Sequence, residues 1–328
     1  MRPITLFTGQ WTDLDLETLA KKASEWGYDG LELACHKNHF DIEKAVKDPG
    51  YCDSVRKLLK KYNLNCWIIS NHLEGQMVSD RNDERSDPWV GKELKGRHSE
   101  KNIWATERLK QTALAAKNFG VKTVVGFTGS SLWHLFPFFP PVSQAMIDQG
   151  YNEFRERWLP ILDVFSKNGI RFAHEVHPGE VAYDYYTSKR ALEALDDHPA
   201  FGFNFDPSHF HWQMLNPVTF VHDFSDRIFH VDFKDTKLNL DGRTGILSSH
   251  LPFGDPRRGW DFRSLGHGEI KFEELIRALN SIHYEGPLSV EWEDTGMDRE
   301  FGAKDALQYL QRINFSASDR AFDSAFQE

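Results

Sequence analysis

Cysteine is scarce in this chain of 328 residues, which contains only Cys35, Cys52 and Cys66. A low, odd number of cysteines argues against a disulfide framework and favours a reducing compartment. No apolar run reaches the length of a membrane span, and the N-terminal MRPITLFTGQ lacks the organisation of a signal peptide. We therefore expect a cytoplasmic protein with no membrane partner.

Basic residues are too few to balance the acidic ones, and the formal net charge is −10. Proteins whose main partner is a nucleic acid usually carry a basic stripe, so this charge argues against nucleic acid as a partner. The negative net charge is still compatible with a small anionic substrate. Hydrophobic residues make up 40% of the chain and aromatic ones 13%, which is enough for a large core.

A glycine-rich phosphate fingerprint is also missing after the first strand-like run, which disfavours the alternative of a doubly wound open sheet. The chain instead alternates strand-like runs with amphipathic helix-like segments. Eight strands are predicted, at 3–8, 30–34, 65–70, 122–128, 171–176, 201–206, 228–233 and 287–292. This pattern predicts a (β/α)₈ barrel, formed by a single domain over residues 1–315 and followed by a polar tail at 316–328.

Three connections are longer than ordinary barrel loops, at about 72–100, 129–149 and 236–270. All three follow strands, so we expect them over the C-terminal mouth of the barrel, where long loops are usually functional. The last contains aromatic and basic residues together. We predict that it covers the mouth with Trp260 and Arg263 as anchors, the alternative being a mobile surface loop.

Four strands in the second half of the chain end in a carboxylate, at Glu175, Asp206, Asp232 and Glu291. A charged residue is costly to bury alone, so four in succession suggest a common centre that a cation neutralises. Hard oxygen ligands suit Mn²⁺, Mg²⁺ or Co²⁺ better than a structural zinc. The sequence therefore predicts one divalent metal, although salt bridges at the strand ends would also explain single carboxylates.

Five motifs carry a resemblance to a known family: HEVHPGE (174–180), FNFDPSHFHW (203–212), HVDFKD (230–235), LGHGEIKFEELI (265–276) and LSVEWED (288–294). They resemble the xylose-isomerase-like barrels of the sugar phosphate isomerase/epimerase family. That superfamily includes ketose 3-epimerases, inosose dehydratases, endonuclease IV, and lyases and deglycosidases of 3-keto-glycosides. The resemblance implies the barrel, a metal bound by the same four carboxylates, a sugar substrate and pairing into a homo-oligomer.

The third metal position departs from the family pattern His-x-His-x-Lys-Asp. Here the chain reads His230-Val-Asp232-Phe-Lys234-Asp235, with Asp232 in place of the second histidine. A carboxylate still binds Mn²⁺ or Mg²⁺. We expect Asp232 as the ligand because it lies nearer the end of the strand, with His230 as the alternative.

The resemblance also implies catalytic carboxylates, and places Glu175 and Glu291 in that role. The epimerases carry a further glutamate six residues after the first, whereas Glu180 lies five residues after Glu175, and His177 is a rival base. Further candidates are expected to contact substrate: His209, Lys234, Trp67, His72, His134 and Trp212. Core packing is the alternative for Trp67, and pairing with Asp235 the alternative for Lys234.

One metal site of this kind supports several reactions, so the fold does not choose among them. The first expectation is an isomerase or epimerase of a keto-sugar, acting through a metal-stabilised enediolate. A 3-keto-glycoside lyase, hydratase or deglycosidase is the second, because the insertion at 236–270 leaves room for a bulkier substrate. An endonuclease IV-like nuclease and a non-catalytic subunit are remote alternatives.

Overall fold

Eight parallel strands close into a barrel in the computed structural model, which describes residues 1–136 and 139–326. The barrel order is β1, β10, β7, β6, β5, β4, β3, β2, so β1 closes against β2. The barrel strands are β1 Ile4–Phe7, β2 Gly30–Ala34, β3 Ile68–Ser70, β4 Thr123–Gly126, β5 Arg171–Glu175, β6 Phe201–Phe205, β7 Ile228–Phe233 and β10 Leu288–Val290. The predicted barrel is confirmed, and each predicted strand contains one of these.

Helices surround the barrel, and several of them end where the sequence predicts. They are α1 Leu16–Trp26, α2 Ile42–Lys47, α3 Tyr51–Lys61, α4 His72–Ser79, α5 His98–Phe119, α6 Gln144–Lys167, α7 Tyr185–Ala194, α8 Pro207–His211, α9 Pro217–Asp223, α10 Phe272–Ser281 and α11 Arg299–Ile313. Gly27 and Gly120 end α1 and α5 with φ of 100° and 93°, a conformation that glycine adopts without strain. Within the described ranges, none of these helices is long and apolar enough to cross a membrane.

The three long connections contain more structure than their polar sequences suggest. The first holds α4, two short 3₁₀ helices (Glu84–Trp89 and Lys92–Leu94) and the start of α5. The last forms an antiparallel ribbon of β8 (Asp235–Leu238) and β9 (Trp260–Arg263). The sequence pattern did not predict these elements, because each is short and buries only a few apolar side chains among polar neighbours.

The barrel keeps its apolar side chains outside and its polar ones inside. Phe172 of β5 packs outward on Trp158 of α6, with ring centroids 4.7 Å apart. Inside, Glu32 of β2 pairs with His230 of β7, and β1 and β10 separate these two strands, so both side chains must cross the barrel interior. Other inward polar residues are at most 1% exposed: Thr5, Asn204, Asp232 and Ser289. This polar interior leads directly to the site at the mouth.

A fully buried lysine holds the first long connection against α5. Lys101 Nζ donates to Asp87 Oδ1 at 2.7 Å, to Ser86 Oγ at 2.9 Å and to the Asp83 carbonyl at 2.9 Å. A buried ammonium group is stable only when its hydrogen bonds are satisfied. Lys101 therefore fixes the first of the two 3₁₀ helices, Glu84–Trp89, against α5.

Replacing this lysine tests its role. We expect Lys101→Met to lower the free energy of unfolding by about 2 kcal/mol, the contribution of hydrogen bonds to a charged group. Limited proteolysis should then cut within 80–97 faster than in the parent protein. The exposed Lys95→Met is the matched control, and equal effects of the two substitutions on stability and cleavage would contradict this role.

Candidate metal centre

The ends of β5 and β6 bring one group of possible metal ligands together. Asp206 follows β6 and caps α8, accepting hydrogen bonds from Ser208 N at 2.8 Å and Ser208 Oγ at 2.9 Å. Pro207 opens α8, and this short helix turns His209 back over the mouth. His209 Nε2 then lies 3.2 Å from Asp206 Oδ2 and 3.1 Å from Glu175 Oε1. One ligand atom from each of these three buried residues lies within 4.8 Å of the others.

A lysine occupies the space between this group and the end of β10. Lys234 Nζ lies 2.7 Å from Glu291 Oε2, 3.0 Å from Glu293 Oε2 and 3.3 Å from Asp206 Oδ2. Burial alone would lower the pKa of Lys234, but the charges of Glu291 and Glu293 hold it well above its usual value. Lys234 is therefore a fixed cation among three carboxylates.

The alternative pairing of Lys234 with Asp235 is not what the structure shows. The Asp235 carboxylate instead accepts backbone hydrogen bonds from the end of the insertion, including Gly268 N at 2.9 Å. Asp235 thus joins the insertion to the barrel. Lys234 pairs instead with the carboxylates at the mouth.

Asp232, the expected third ligand, lies in a separate group with Glu32 and His230. His230 Nε2 is 2.6 Å from Glu32 Oε2 and 3.2 Å from Asp232 Oδ1. Asn204 Nδ2 donates to the other Asp232 oxygen at 2.6 Å. The four predicted carboxylates are therefore not gathered around one point, and both candidates for the third position, Asp232 and His230, point toward Glu32.

The charges of this inner group are strongly coupled. Burial alone would raise the pKa of Glu32, but His230 and a hydrogen bond from Ser70 lower it to about 2. Burial alone would lower the pKa of His230, but Glu32 and Asp232 raise it to about 10. Burial and the charge of Glu32 raise the pKa of Asp232 to about 7. Glu32 and His230 thus form an internal ion pair.

Sequence reasoning missed Glu32 and Gln10. Glu32 lies between Leu31 and Leu33 in β2, so the alternation rule used for the later strands would also have pointed it inward. Gln10 lies in the first loop, where no pattern reveals it, and its Nε2 donates to Glu291 Oε1 at 2.7 Å. Glu32 fixes His230 and Gln10 fixes Glu291, two residues that the sequence analysis did select.

A cavity of about 870 Å³ opens at the mouth and reaches these groups. At its inner end lie Glu175, His177, Lys234 and Glu291. The His177 ring is 4.1 Å from that of His209. Burial and the charge of His209 hold the pKa of His177 well below its usual value. His177 is therefore neutral near pH 7 and able to accept a proton.

His72, predicted to contact substrate, also lies in the cavity wall. Its Nε2 is 2.9 Å from Glu175 Oε2. Burial would lower the pKa of His72, but the hydrogen bond to Glu175 raises it. Two histidines, His72 and His209, thus hold opposite oxygens of the Glu175 carboxylate and orient it.

Three other predicted site residues lie elsewhere. Trp67 precedes β3, at the amino end of the barrel, and packs on the small apolar cluster that contains Ile68. This position contradicts a role at the mouth. His134 lies in a 3₁₀ helix after β4 and is absent from the cavity wall. Trp212 stacks on Trp260, with centroids 4.6 Å apart.

The insertion reaches the site through Phe262 of β9. The Phe262 ring centroid is 4.5 Å from Lys234 Nζ and 5.6 Å from the ring of His209. Trp260 is buried and donates to the Ile246 carbonyl at 2.9 Å. Arg263 is only partly buried and borders a separate cavity of about 440 Å³. The ribbon thus covers part of the site through Phe262, whereas Trp260 contacts Ile246 and Trp212.

The donor set fits a hard divalent cation. Glu175, Asp206, Glu291 and Glu293 bring four carboxylates to one region, with the Lys234 ammonium between three of them. Carboxylate oxygens are the ligands that Mg²⁺ and Mn²⁺ prefer. A cation here would offset the repulsion among these groups.

Comparison with protein families gives one match over most of the chain. The family model described as xylose isomerase-like TIM barrel matches residues 20–313. Among curated proteins, the uncharacterised protein YfiH of Bacillus subtilis (strain 168) is 25% identical over 179 residues, 53% of this chain and 56% of YfiH. An inosose dehydratase of Clostridium botulinum (strain Alaska E43 / Type E3) is 24% identical over 45% of this chain and 51% of that protein. The chain spans about half the length of these relatives.

Solved structures show the same fold at low identity. The 3-keto-D-glucoside 4-epimerase YcjR from E. coli has a TM-score of 0.68 at 16% identity, covering 95% of this chain and 100% of YcjR. The IOLI protein with a bound zinc atom has a TM-score of 0.65 at 16% identity, covering 96% of this chain and 100% of IOLI. At such identities the likeness concerns the barrel alone.

Glu180, a predicted catalytic residue, turns toward the loop after β4. Its Oε2 accepts hydrogen bonds from Thr128 N at 2.8 Å and Gly129 N at 2.7 Å, and Glu180 is absent from the cavity wall. Its Oε1 has no partner within the described part of the chain. Burial and the nearby Asp80 raise the pKa of Glu180 to about 8. This arrangement suits a protonated carboxyl group that supports the loop.

The pKa of Glu180 predicts how stability depends on pH. The folded state retains this proton up to about pH 8, whereas an unfolded glutamate releases it near pH 4.3. Its contribution to stability is therefore complete below that lower value and is lost as pH rises through 8. In urea unfolding between about pH 4.3 and pH 8, the free energy of unfolding of Glu180→Gln should rise relative to that of the parent protein. The difference should grow by at most about 1.4 kcal/mol per pH unit. Glu43→Gln, an exposed control, should follow the parent protein, and a Glu180→Gln curve parallel to the parent's would contradict the assignment.

Proposed function

Because the chain belongs to the xylose isomerase-like TIM barrel family, we propose that it is a metal-dependent isomerase or epimerase of a keto-sugar. The observation that carries this proposal is the inner end of the 870 Å³ cavity. There Glu175 and Glu291 lie beside the neutral His177 and the cationic Lys234. This combination offers metal ligands, a proton acceptor and a positive charge in one place.

A divalent ion, Mn²⁺ or Mg²⁺ with Co²⁺ also suitable, would be held by Glu175, Asp206 and Glu291. His209 would complete the set, since its Nε2 lies 3.2 Å from Asp206 Oδ2. The ion would polarise the substrate carbonyl and stabilise the negative charge that follows removal of a neighbouring proton. The zinc atom in the structure of the IOLI protein, which shares this fold, supports the proposal of a divalent metal.

The residues of the chain itself would move the proton. His177 lines the cavity together with Glu175, Lys234 and Glu291, and its neutral ring carries a nitrogen lone pair that can accept the proton, so it is the proposed base. Glu291, held by Lys234 and Gln10, is the proposed partner for the return of the proton. Lys234 would also stabilise negative charge on a substrate oxygen. Return to the opposite face gives an epimer, and return to the adjacent carbon gives an isomer.

Elimination from a 3-keto-glycoside is the second candidate. The same base would remove the proton, and the C–O bond on the next carbon would then break with formation of a C=C bond, the leaving oxygen taking up a proton and departing as the free alcohol. The size of the cavity favours this candidate, and the inosose dehydratase relative performs a dehydration by its name. The net charge of −10 weighs against the nuclease alternative.

Metal analysis tests the first part of the proposal. Protein purified without chelator should contain about one divalent ion per chain, held by a single set of oxygen ligands. Asp206→Asn and Glu291→Gln should each lose it, because each removes a charged ligand. Glu43→Gln, which changes an exposed carboxylate in the outer cavity wall, is the matched control. Metal-free protein that turns over substrate unaffected by EDTA would contradict the proposal.

Deuterium exchange tests the reaction and the base. In D₂O, the protein should place deuterium on the carbon next to the carbonyl of a keto-sugar, as followed by mass spectrometry. His177→Asn should slow exchange by about 10² to 10⁴, the usual value of a positioned base, while Glu180→Gln should keep most of it. If Glu180→Gln loses the exchange and His177→Asn retains it, Glu180 is the base instead. Release of an aglycone from a 3-keto-glycoside, without exchange into recovered substrate, would select elimination.

A further inference from the structure

The cavity is too large for one monosaccharide. Liquid water occupies about 30 Å³ per heavy atom, so even at that loose spacing a hexose of about 12 heavy atoms needs at most roughly 360 Å³. The cavity holds about 870 Å³. More than half of it therefore lies outside the space of a sugar bound at the inner end.

The outer end is built from the long connection after β3. Trp89 ends a 3₁₀ helix, is 38% exposed and borders the cavity with its neighbours Pro88 and Val90. Trp104 of α5 lines the same region. Aromatic faces of this kind bind the apolar faces of rings.

The charges at the outer end are unsuited to an anion. The Arg108 guanidinium lies over the Trp104 ring at 5.6 Å, and its Nε donates to Glu74 Oε1 at 2.8 Å, so its charge is already paired. The acidic residues Asp41, Glu43 and Glu93 also line the cavity, and Lys37 is the other cation of this outer wall. An uncharged group fits this surface better than a phosphate.

The two ends form one continuous cavity, so a single molecule can reach both. We propose that the outer end is a second-ring site, defined by Trp89 and Trp104, and that the substrate is a two-ring glycoside. This inference rests on the proposed function, in which the keto-sugar ring lies at Glu175 and His177. Its second ring, either an aryl group or another sugar, would stack on Trp89.

Binding of glycosides that carry no keto group tests this site without turnover. Calorimetric titration of the purified full-length protein would use methyl β-D-glucoside as the one-ring probe, with phenyl β-D-glucoside and cellobiose as two-ring probes. We expect at least one two-ring probe to bind about 10-fold tighter than the methyl glycoside. Preference for the phenyl compound would identify an aryl group, and preference for cellobiose a second sugar.

Substitution of the indoles locates the effect. Trp89→Ala should weaken binding of the preferred two-ring probe by about 2- to 10-fold, the contribution of one aromatic contact, and leave the methyl glycoside unchanged. Trp104→Ala should act in the same direction. Trp133→Ala is the matched control, because Trp133 packs on Tyr183 and is absent from the cavity wall.

Three results would overturn the second-ring site. The first is equal affinity for the one-ring and two-ring probes. The second is tighter binding of a two-ring probe that persists in both Trp89→Ala and Trp104→Ala. The third is that neither two-ring probe shows saturable binding. Tightest binding of glucose 6-phosphate would also contradict the uncharged ligand. Tryptophan-dependent binding without any deuterium exchange would refute the proposed function and leave this site standing.

Discussion

A buried ammonium group among three carboxylates is the contact on which this site depends. Lys234 Nζ lies within 3.3 Å of Asp206, Glu291 and Glu293. Charges inside a protein are tolerated only when paired and hydrogen-bonded. One lysine cannot neutralise three carboxylates, and the protonated form of His209 beside Asp206 supplies only part of the remainder. The excess negative charge is the physical reason to expect a further cation at the mouth.

The same constraint explains the construction of the barrel interior. Apolar side chains such as Phe172 pack outward under the helices, which leaves the inward positions for polar groups. Glu32 and His230 then neutralise each other across the barrel, and Asn204 holds Asp232 from the neighbouring strand. Each of these contacts holds one barrel strand against another, and so restrains the position of the side chain at the carboxyl end of that strand. The site at the mouth of the barrel therefore lies above a layer of paired polar side chains.

Periodicity in the sequence was sufficient to predict the barrel and part of the site. The eight strands could be predicted because each is a short apolar run. Glu175, Asp206 and Glu291 could be predicted because each ends such a run. Alternation tells which face a residue occupies but not its depth, so Asp232 could be placed inward while its pairing with His230 and Glu32 remained hidden. Trp67 shows the effect of a boundary error: β3 begins at Ile68, three residues later than the predicted run of 65–70, so Trp67 precedes the amino end of the strand. Glu180 lies in the loop after β5, and no pattern reveals that it accepts hydrogen bonds from the backbone of the loop after β4.

A divalent ion bound between Glu175, Asp206 and Glu291 is the central claim. Crystals soaked in Mn²⁺ test it most directly through the anomalous scattering of the metal. We expect one strong peak within coordination distance of oxygens from these three residues, about 2.0 to 2.6 Å away, together with a displacement of Lys234 Nζ from Glu291. A peak between Glu32, His230 and Asp232 instead, or no peak while Lys234 keeps its three contacts, would contradict the claim.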